Sequence, residues 1–149
     1  PLVPPSFAFA GQRIAPNICY EDLFGEELAR RFGDAATAPT MLANVSNMGW
    51  FGDTIALTQH LNISRMRSLE LQRPMIRATN TGATAAIDHR GVVTAQMKWS
   101  ERGVLQTEAE ARNAVTPFAP RPPPFRLWPP LLLAVALIAV CGRWKKPAP

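Results

Sequence analysis

Arg13-Ile14-Ala15-Pro16-Asn17-Ile18-Cys19-Tyr20-Glu21-Asp22 is the stretch on which the fold turns. Residues 13–20 read as a strand. Alternation puts Ile14, Ile18 and Tyr20 on one face and Asn17 and Cys19 on the other. Glu21 and Asp22 then open a predicted helix over 21–32. Arg30 and Arg31 complement its last turn, and Gly33 stands just past it as a stop. A thiol therefore sits where an apolar strand ends and an acidic helix begins. The thiolate is the nucleophilic form of cysteine, and a helix start favours it. Cys19 is thus a candidate nucleophile on local grounds, against the plainer reading of a small buried hydrophobe.

Downstream the pattern repeats. Residues 41–45 have the length and apolarity of a buried strand, ending in the polar loop Ser46-Asn47-Met48-Gly49-Trp50-Phe51-Gly52. Asp53 is the expected N-cap of a helix over 55–71. There Leu57, Leu61, Ser64, Ser68 and Leu71 recur at helical spacing, the mark of one buried face. The two serines let that face approach a neighbour closely. Pro74 ends the helix. Residues 75–80, 84–88, 92–97 and 104–108 read as strands, with a tight turn at His89-Arg90-Gly91. Residues 1–13, with Pro1, Pro4, Pro5 and Gly11, read as a loop. Strand–helix–strand–helix followed by several strands predicts a layered α/β (α+β) domain over 1–113.

The remainder is different material. Prolines crowd residues 114–130, predicting an extended, semi-rigid linker over 114–127. An apolar segment at 128–144 and a basic tail at 145–149 follow. The uncharged run between Arg126 and Arg143 is 16 residues long, about 24 Å as a helix. That is short of the roughly 20 residues of an ordinary span. Trp128 and Trp144 bracket it as interfacial anchors. Arg143, Lys145 and Lys146 have the composition of a cytoplasmic flank. One C-terminal transmembrane helix is the expectation, with a buried core helix as the alternative. A spanning helix would put the preceding domain outside the cytoplasm.

Net charge is +5, and Arg outnumbers Lys 13 to 3. The arginines are scattered, with no basic stripe interleaved with aromatics, so nucleic acid is not an expected partner. Two cysteines, one inside the apolar run, make no disulfide framework. No His, Cys or carboxylate set has metal-ligand spacing. No glycine loop that would cradle a phosphate is present, and no cofactor is expected. The chain begins at Pro1 rather than Met and reads as a fragment or processed product.

Cys19-Tyr20-Glu21 after a strand, Ser46-Asn47-x-x-Trp50-Phe51-Gly52, Gln59-His60, Arg65-Met66-Arg67-x-x-Glu70 and Arg77-Ala78-x-Asn80-x-Gly82 occur in this order. Together they resemble the nitrilase (carbon-nitrogen hydrolase) superfamily. Within it, they are similar to the apolipoprotein N-acyltransferase family, over residues from about 13 to 146. The resemblance implies part of an αββα sandwich, attached to the bacterial inner membrane with the catalytic domain periplasmic and the tail cytoplasmic. It implies ping-pong acyl transfer. Cys19 takes a fatty acyl group from a phospholipid as a thioester and passes it to the N-terminal amine of a diacylglyceryl-modified lipoprotein. The superfamily works with a Glu–Lys–Cys triad whose Glu and Lys precede the Cys. The resemblance therefore places them in an N-terminal portion outside this chain and implies little turnover by the chain alone.

On the same resemblance Tyr20, Glu21, Asn47, Trp50 and Phe51 line a substrate site. Each has a plainer reading. Glu21 complements a helix start, Tyr20 and Phe51 pack, Asn47 caps a loop, and Trp50 anchors it. Exposed aromatics on a glycine-bounded loop also suit acyl-chain or lipid contact. His60 invites assignment as a base, but a mid-helix histidine is more often structural. Arg77 and Asn80, on a predicted strand, fit a satisfied structural network. A soluble amidase of the nitrilase type and a non-catalytic anchored relic are the competing readings.

Overall fold

The structure, a computed structural model, describes residues 6–119 and 123–144. Strands β1 (Phe7–Phe9), β2 (Gln12–Ile18), β3 (Met41–Ser46), β4 (Met75–Thr79), β5 (Ala85–Ile87) and β6 (Val93–Gln96) form one sheet in chain order. The central strands β2, β3 and β4 are parallel, and β1, β5 and β6 add to the flanks antiparallel. Parallel neighbours need crossovers. Helix α1 (Gly25–Ala29) lies in the first and helix α2 (Ile55–Leu71) forms the second. Helix α3 (Pro123–Trp144) follows the sheet.

Register fixes which side chains share a face. Ala15 lies beside Leu42, Leu42 beside Met75, and Met75 beside Ile87. This row is buried with Leu28 and Phe32 of the first crossover and Leu61 and Leu71 of α2 in one apolar cluster. The buried face of α2 is Leu57, His60, Leu61, Ser64, Ser68 and Leu71, the predicted stripe with one histidine added. The opposite face of the sheet carries Phe7, Phe9, Ile18, Val45 and Ile76, which are 40–68% exposed.

Several elements depart from the sequence reading. The predicted helix over 21–32 is broken into a 3-10 turn at Cys19–Leu23, α1, and a second 3-10 turn at Arg30–Phe32. The cause is tertiary. The Arg67 side chain of α2 donates to the Leu23 carbonyl at 3.3 Å and fills the space beside Gly25, where a Cβ would fall 2.3 Å from Arg67 Nη1. The helix dipole behind Cys19 is correspondingly short. Residues 7–9, expected in a loop, form β1, because Ala10 (φ 47°) and Gly11 (φ 76°) make a two-residue hairpin turn with both φ positive. Residues 104–108 form no strand: Val104 is 93% exposed and the stretch has no face to bury. Thr54 rather than Asp53 is the N-cap of α2, and its hydroxyl donates back to the Phe51 carbonyl at 2.9 Å.

The turn at 88–91 is as read. Asp88 Oδ1 accepts from the Arg90 and Val92 amides, and Gly91 takes φ 77°. Helix α3 starts at Pro123, inside the linker expected over 114–127. A proline suits a first helical turn, whereas Pro129 and Pro130 inside α3 each remove a main-chain donor. Pro1, Pro4, Pro5 and the basic tail at 145–149 lie outside the described residues, as do the side chains of Arg126, Arg143 and Trp144. Among the described residues no helix is long and apolar enough to cross a membrane.

Arg73 fastens the segment after the sheet to the domain. It is fully buried, stacks over the Phe32 ring at 5.2 Å, and donates to the carbonyls of Pro39 (2.6 Å), Gln72 (3.1 Å) and Ala114 (2.5 Å). Thr116 Oγ1 adds a bond to the Glu70 carbonyl at 2.7 Å. Replacing the guanidinium leaves several buried carbonyls unsatisfied. Arg73→Met is therefore expected to cost about 3 kcal/mol in urea unfolding. A loss under about 1 kcal/mol would show that water replaces these bonds freely.

Candidate active site

The carboxyl ends of β2, β3 and β4 converge below Cys19. One row across the sheet is polar: Asn17 lies beside Asn44, and Asn44 beside Arg77. All three are at most 1% exposed. Buried polar groups persist only when bonded, and their bonds run toward the thiol loop. Asn44 Nδ2 donates to Asn17 Oδ1 (2.5 Å) and to the Cys19 carbonyl (3.2 Å), while Ser46 Oγ donates to Asn44 Oδ1 (2.6 Å).

Cys19 is half-buried at the start of the 3-10 turn, with φ 50°. A non-glycine residue in this region is strained by about 1–2 kcal/mol and is held by its surroundings. Glu21 is one restraint, since its Oε2 accepts from the Ile18 amide at 2.7 Å. The sharp turn lifts the side chain off the strand.

Under the turn lies a charged cluster at the α2 interface. Asp22 is fully buried. Ser64 Oγ donates to Asp22 Oδ2, and Arg77 Nη1 lies 3.7 Å from the same oxygen. Arg77 Nη1 also donates to Ser64 Oγ and, at 3.0 Å, to the His60 carbonyl, while Nη2 meets His60 Nδ1 at 2.9 Å. A guanidinium can only donate, so His60 Nδ1 is the acceptor and the proton is on Nε2. That edge faces Asp22 Oδ1 at 3.7 Å. Burial pushes the Asp22 carboxyl above its usual range, against the pull of Ser64, His60, Arg77 and Arg67. Burial likewise pushes His60 down, opposed by Asp22 and by a main-chain contact with Cys19 and assisted by Arg77. Burial lowers Arg77, while Asp22 and the Cys19 sulfur raise it. The cluster thus sets one guanidinium beside one carboxyl and an imidazole.

The rim is aromatic. The Tyr20 ring packs edge-on against Phe51 (5.8 Å) and His60 (5.6 Å). Trp50 is 83% exposed. Asn47 Oδ1 accepts from the Gly49 amide (3.1 Å) and from Asn80 Nδ2 (2.7 Å), and Asn80 Oδ1 takes the Met48 amide (2.8 Å). The loop is therefore pinned to the end of β4 while its aromatic tip stands free. An open trough of about 470 Å³, lined by Val45, Ser46, Asn47, Ala78, Thr79 and Asn80, runs along the ends of β3 and β4.

Of the residues singled out from sequence, Tyr20 and Phe51 come together, and Asn47 joins Asn80. Glu21 caps its own turn, and Trp50 is largely exposed. Asp22, Asn17 and Asn44 were missed. Their signal was there: asparagines at inward positions of apolar strands, and serines on the buried stripe of α2, require polar partners. Among the described residues no group of three or more His, Cys, Asp or Glu could hold a metal ion.

A model of the carbon-nitrogen hydrolase family matches residues 2–114. This chain belongs to the carbon-nitrogen hydrolase family. It is 64% identical over 121 residues to an apolipoprotein N-acyltransferase of Verminephrobacter eiseniae, covering 76% of this chain and 23% of that protein. It is 51% identical over 147 residues to one from Bordetella bronchiseptica, covering 96% and 26%. The chain spans about a quarter of the length of these curated relatives. Among solved structures, an amidase of the nitrilase superfamily from Nesterenkonia sp. AN1 superposes with a TM-score of 0.55 at 15% identity, covering 69% of this chain and 40% of that one. A CN-hydrolase superfamily protein of Xanthomonas campestris, with an arsenic adduct in its active site, gives 0.54 at 20% identity, covering 65% and 40%. At such identities the likeness is one of fold.

Proposed function

We propose that this chain is the nucleophile-bearing part of an apolipoprotein N-acyltransferase, with Cys19 as the attacking thiol. The observation that carries the reading is Cys19 itself, half-buried, at φ 50° where a central parallel strand ends, in a chain so similar to enzymes of that name. The Cys19 thiolate attacks the ester carbonyl carbon of a phospholipid. The tetrahedral oxyanion collapses, the lysophospholipid alkoxide leaves and is protonated, and a Cys19 thioester remains. The α-amino group of a diacylglyceryl-modified lipoprotein then attacks the thioester. An amide forms, the amine loses a proton, and the thiolate is regenerated. Glutamate as base and lysine at the oxyanion come, on this reading, from the N-terminal portion of the same enzyme. The exposed sheet face with Ile18, Val45 and Ile76 is where the rest of an αββα sandwich packs.

Tyr20 and Phe51 wall the thiol, Glu21 and Asn47 fix the loops that carry them, and Trp50 reaches for acyl chain or lipid. On this reading helix α3 lies at the bilayer. Its residues Leu131, Leu132, Leu133, Val135, Leu137, Ile138 and Val140 are all more than half exposed, and a helix apolar all round belongs inside protein or lipid. The domain then lies on the periplasmic side of the bacterial inner membrane and the basic tail on the cytoplasmic side. The amidase reading shares the carbon-nitrogen hydrolase family, but amidase structures are only 15–16% identical, against 51–64% for the acyltransferases.

One experiment tests both halves. Membranes holding the full-length enzyme are washed with alkaline carbonate, then given phospholipid with a labelled acyl chain and no acceptor. The label should stay in the pellet on the peptide containing Cys19 and be released by neutral hydroxylamine. Release of the enzyme by carbonate would overturn the membrane placement, and label absent from that peptide would overturn the thioester.

A further inference from the structure

The buried histidine under the thiol loop is unexplained by the chemistry above. His60 is 2% exposed, and its Nε2 has no close hydrogen-bond partner. Its Nδ1 is engaged by Arg77, which fixes the tautomer and leaves Nε2–H as the free donor. That donor faces Asp22 Oδ1 at 3.7 Å, and the imidazole also has a main-chain contact with Cys19. The ring's flat face is met by Tyr20, the residue after the thiol. Three features of the loop, at 19, 20 and 22, are thus read by one imidazole.

We infer that His60 is a positioning residue: locked by Arg77 with its proton on Nε2, it supports the Cys19 main chain and the Tyr20 ring and thereby sets where the sulfur points. This rests on the reading of Cys19 as nucleophile. The strain at Cys19 gives the arrangement its purpose, since a residue at positive φ holds only while its neighbours over-determine it. Asn44 grips the Cys19 carbonyl from the strand side, and His60 approaches the loop from α2. Arg77 and Asp22 aim the ring, and Ser64 bridges the two. No proton leaves His60 in this role. Burial, the foremost influence on the ring, keeps it neutral, and a neutral donor is what positioning requires.

The distinction from a general base is experimental. In the full-length enzyme, thioester formation at Cys19 is followed in a single turnover with labelled phospholipid. His60→Ala should slow it by about 10- to 100-fold, the scale of a small misplacement of a reacting atom, with KM for phospholipid little changed. His60→Gln sets an amide N–H near the Nε2 position and should retain a third or more of the rate, with the wild-type pH profile. His60→Asn can accept from Arg77 near the Nδ1 position but puts no donor at the Nε2 position, and should behave like His60→Ala. Wild-type rates in His60→Ala would overturn the inference. So would a dead His60→Gln with a lost pH limb, which marks a base, or an effect confined to KM. Should His60→Ala fail to fold, the near-isosteric Gln and Asn variants carry the test alone, and equal rates in them overturn it. Cys19→Ala run in parallel separates the two levels. If that variant still forms labelled thioester, the reading of the nucleophile fails, whatever His60 does.

Discussion

Cys19→Ala in the full-length enzyme is expected to cut lipoprotein N-acylation by at least about 10⁴-fold, the scale on which an enzyme loses its covalent route. On the proposed reading the binding groups survive the change, but the substitution removes the sulfur that holds the acyl group between donor and acceptor. Alanine keeps the Cβ, so the backbone at φ 50° faces the same steric demand, and unfolding curves should match the wild type. Cys19→Ser separates nucleophilicity from shape. A hydroxyl fits the same space but ionises far less readily than a thiol, so it should fall by about 10²-fold or more and accumulate an ester that neutral hydroxylamine does not cleave. Cys141, exposed on α3 far along the chain, is the control, and Cys141→Ala should retain full activity. N-acylation by Cys19→Ala above one part in a hundred of wild type would remove Cys19 from the chemistry.

The parallel centre of the sheet was legible because its cues are local. Residues 41–45 are apolar but for Asn44, and the stripe Leu57-Leu61-Ser64-Ser68-Leu71 has helical period. The observed β3 and α2 follow these patterns closely. The failures are places where distant partners decide. Residues 21–32 have acidic start, basic end and a glycine stop, a good helix by every local rule. Arg67, more than forty residues away, takes the Leu23 carbonyl and sits where a side chain on Gly25 would go. Val104 opens a run read as a strand, but among the described residues 104–108 pair with no strand and Val104 is exposed.

The site was half legible for the same reason. Cys19 announced itself by position, and Tyr20 and Phe51 by residue type. What joins Asp22 to Ser64 and Arg77 is strand register and the docking of α2, which no spacing encodes. Only the misplaced polarity hinted at it: Asn17, Asn44, Ser64 and Arg77 all fall on inward positions of otherwise apolar elements. A polar residue in a core position demands a partner, so the network's existence could have been inferred, though not its members' pairing. Glu21, the more conspicuous acid, turned out to cap its own turn, while Asp22 went to the interior.

Asp22 carries the second large effect, on stability. Asp22→Ala leaves Ser64 Oγ and the Arg77 guanidinium without their carboxyl oxygen in a region closed to water. Removing one member of a buried pair typically costs about 3–5 kcal/mol, and the upper part of that range is expected here because Ser64 and Arg77 lose the same carboxyl oxygen. Asp22→Asn should cost about 1 kcal/mol. Burial already pushes the native carboxyl toward its neutral form, and the amide keeps an acceptor oxygen for Ser64. The pH dependence has a definite sign. With the native value raised above the ordinary 3.8, the folded state holds the proton to higher pH than the unfolded chain. This contribution is complete below pH 3.8 and is lost as pH rises through the native value. Stability of wild type relative to Asp22→Asn should therefore decline with rising pH in that window and then level off. His60 acts in the opposite sense. Its lowered native value makes the unfolded chain bind the proton first, so its contribution is complete above pH 6.5 and drains away as pH falls below it. The Asn variant removes the first slope and His60→Gln the second, so urea titrations of the three proteins between pH 4 and 8 resolve both. An Asp22→Ala protein within about 1 kcal/mol of wild type would mean that Arg77 finds its counter-charge elsewhere, and the cluster under Cys19 would then be packing rather than a network.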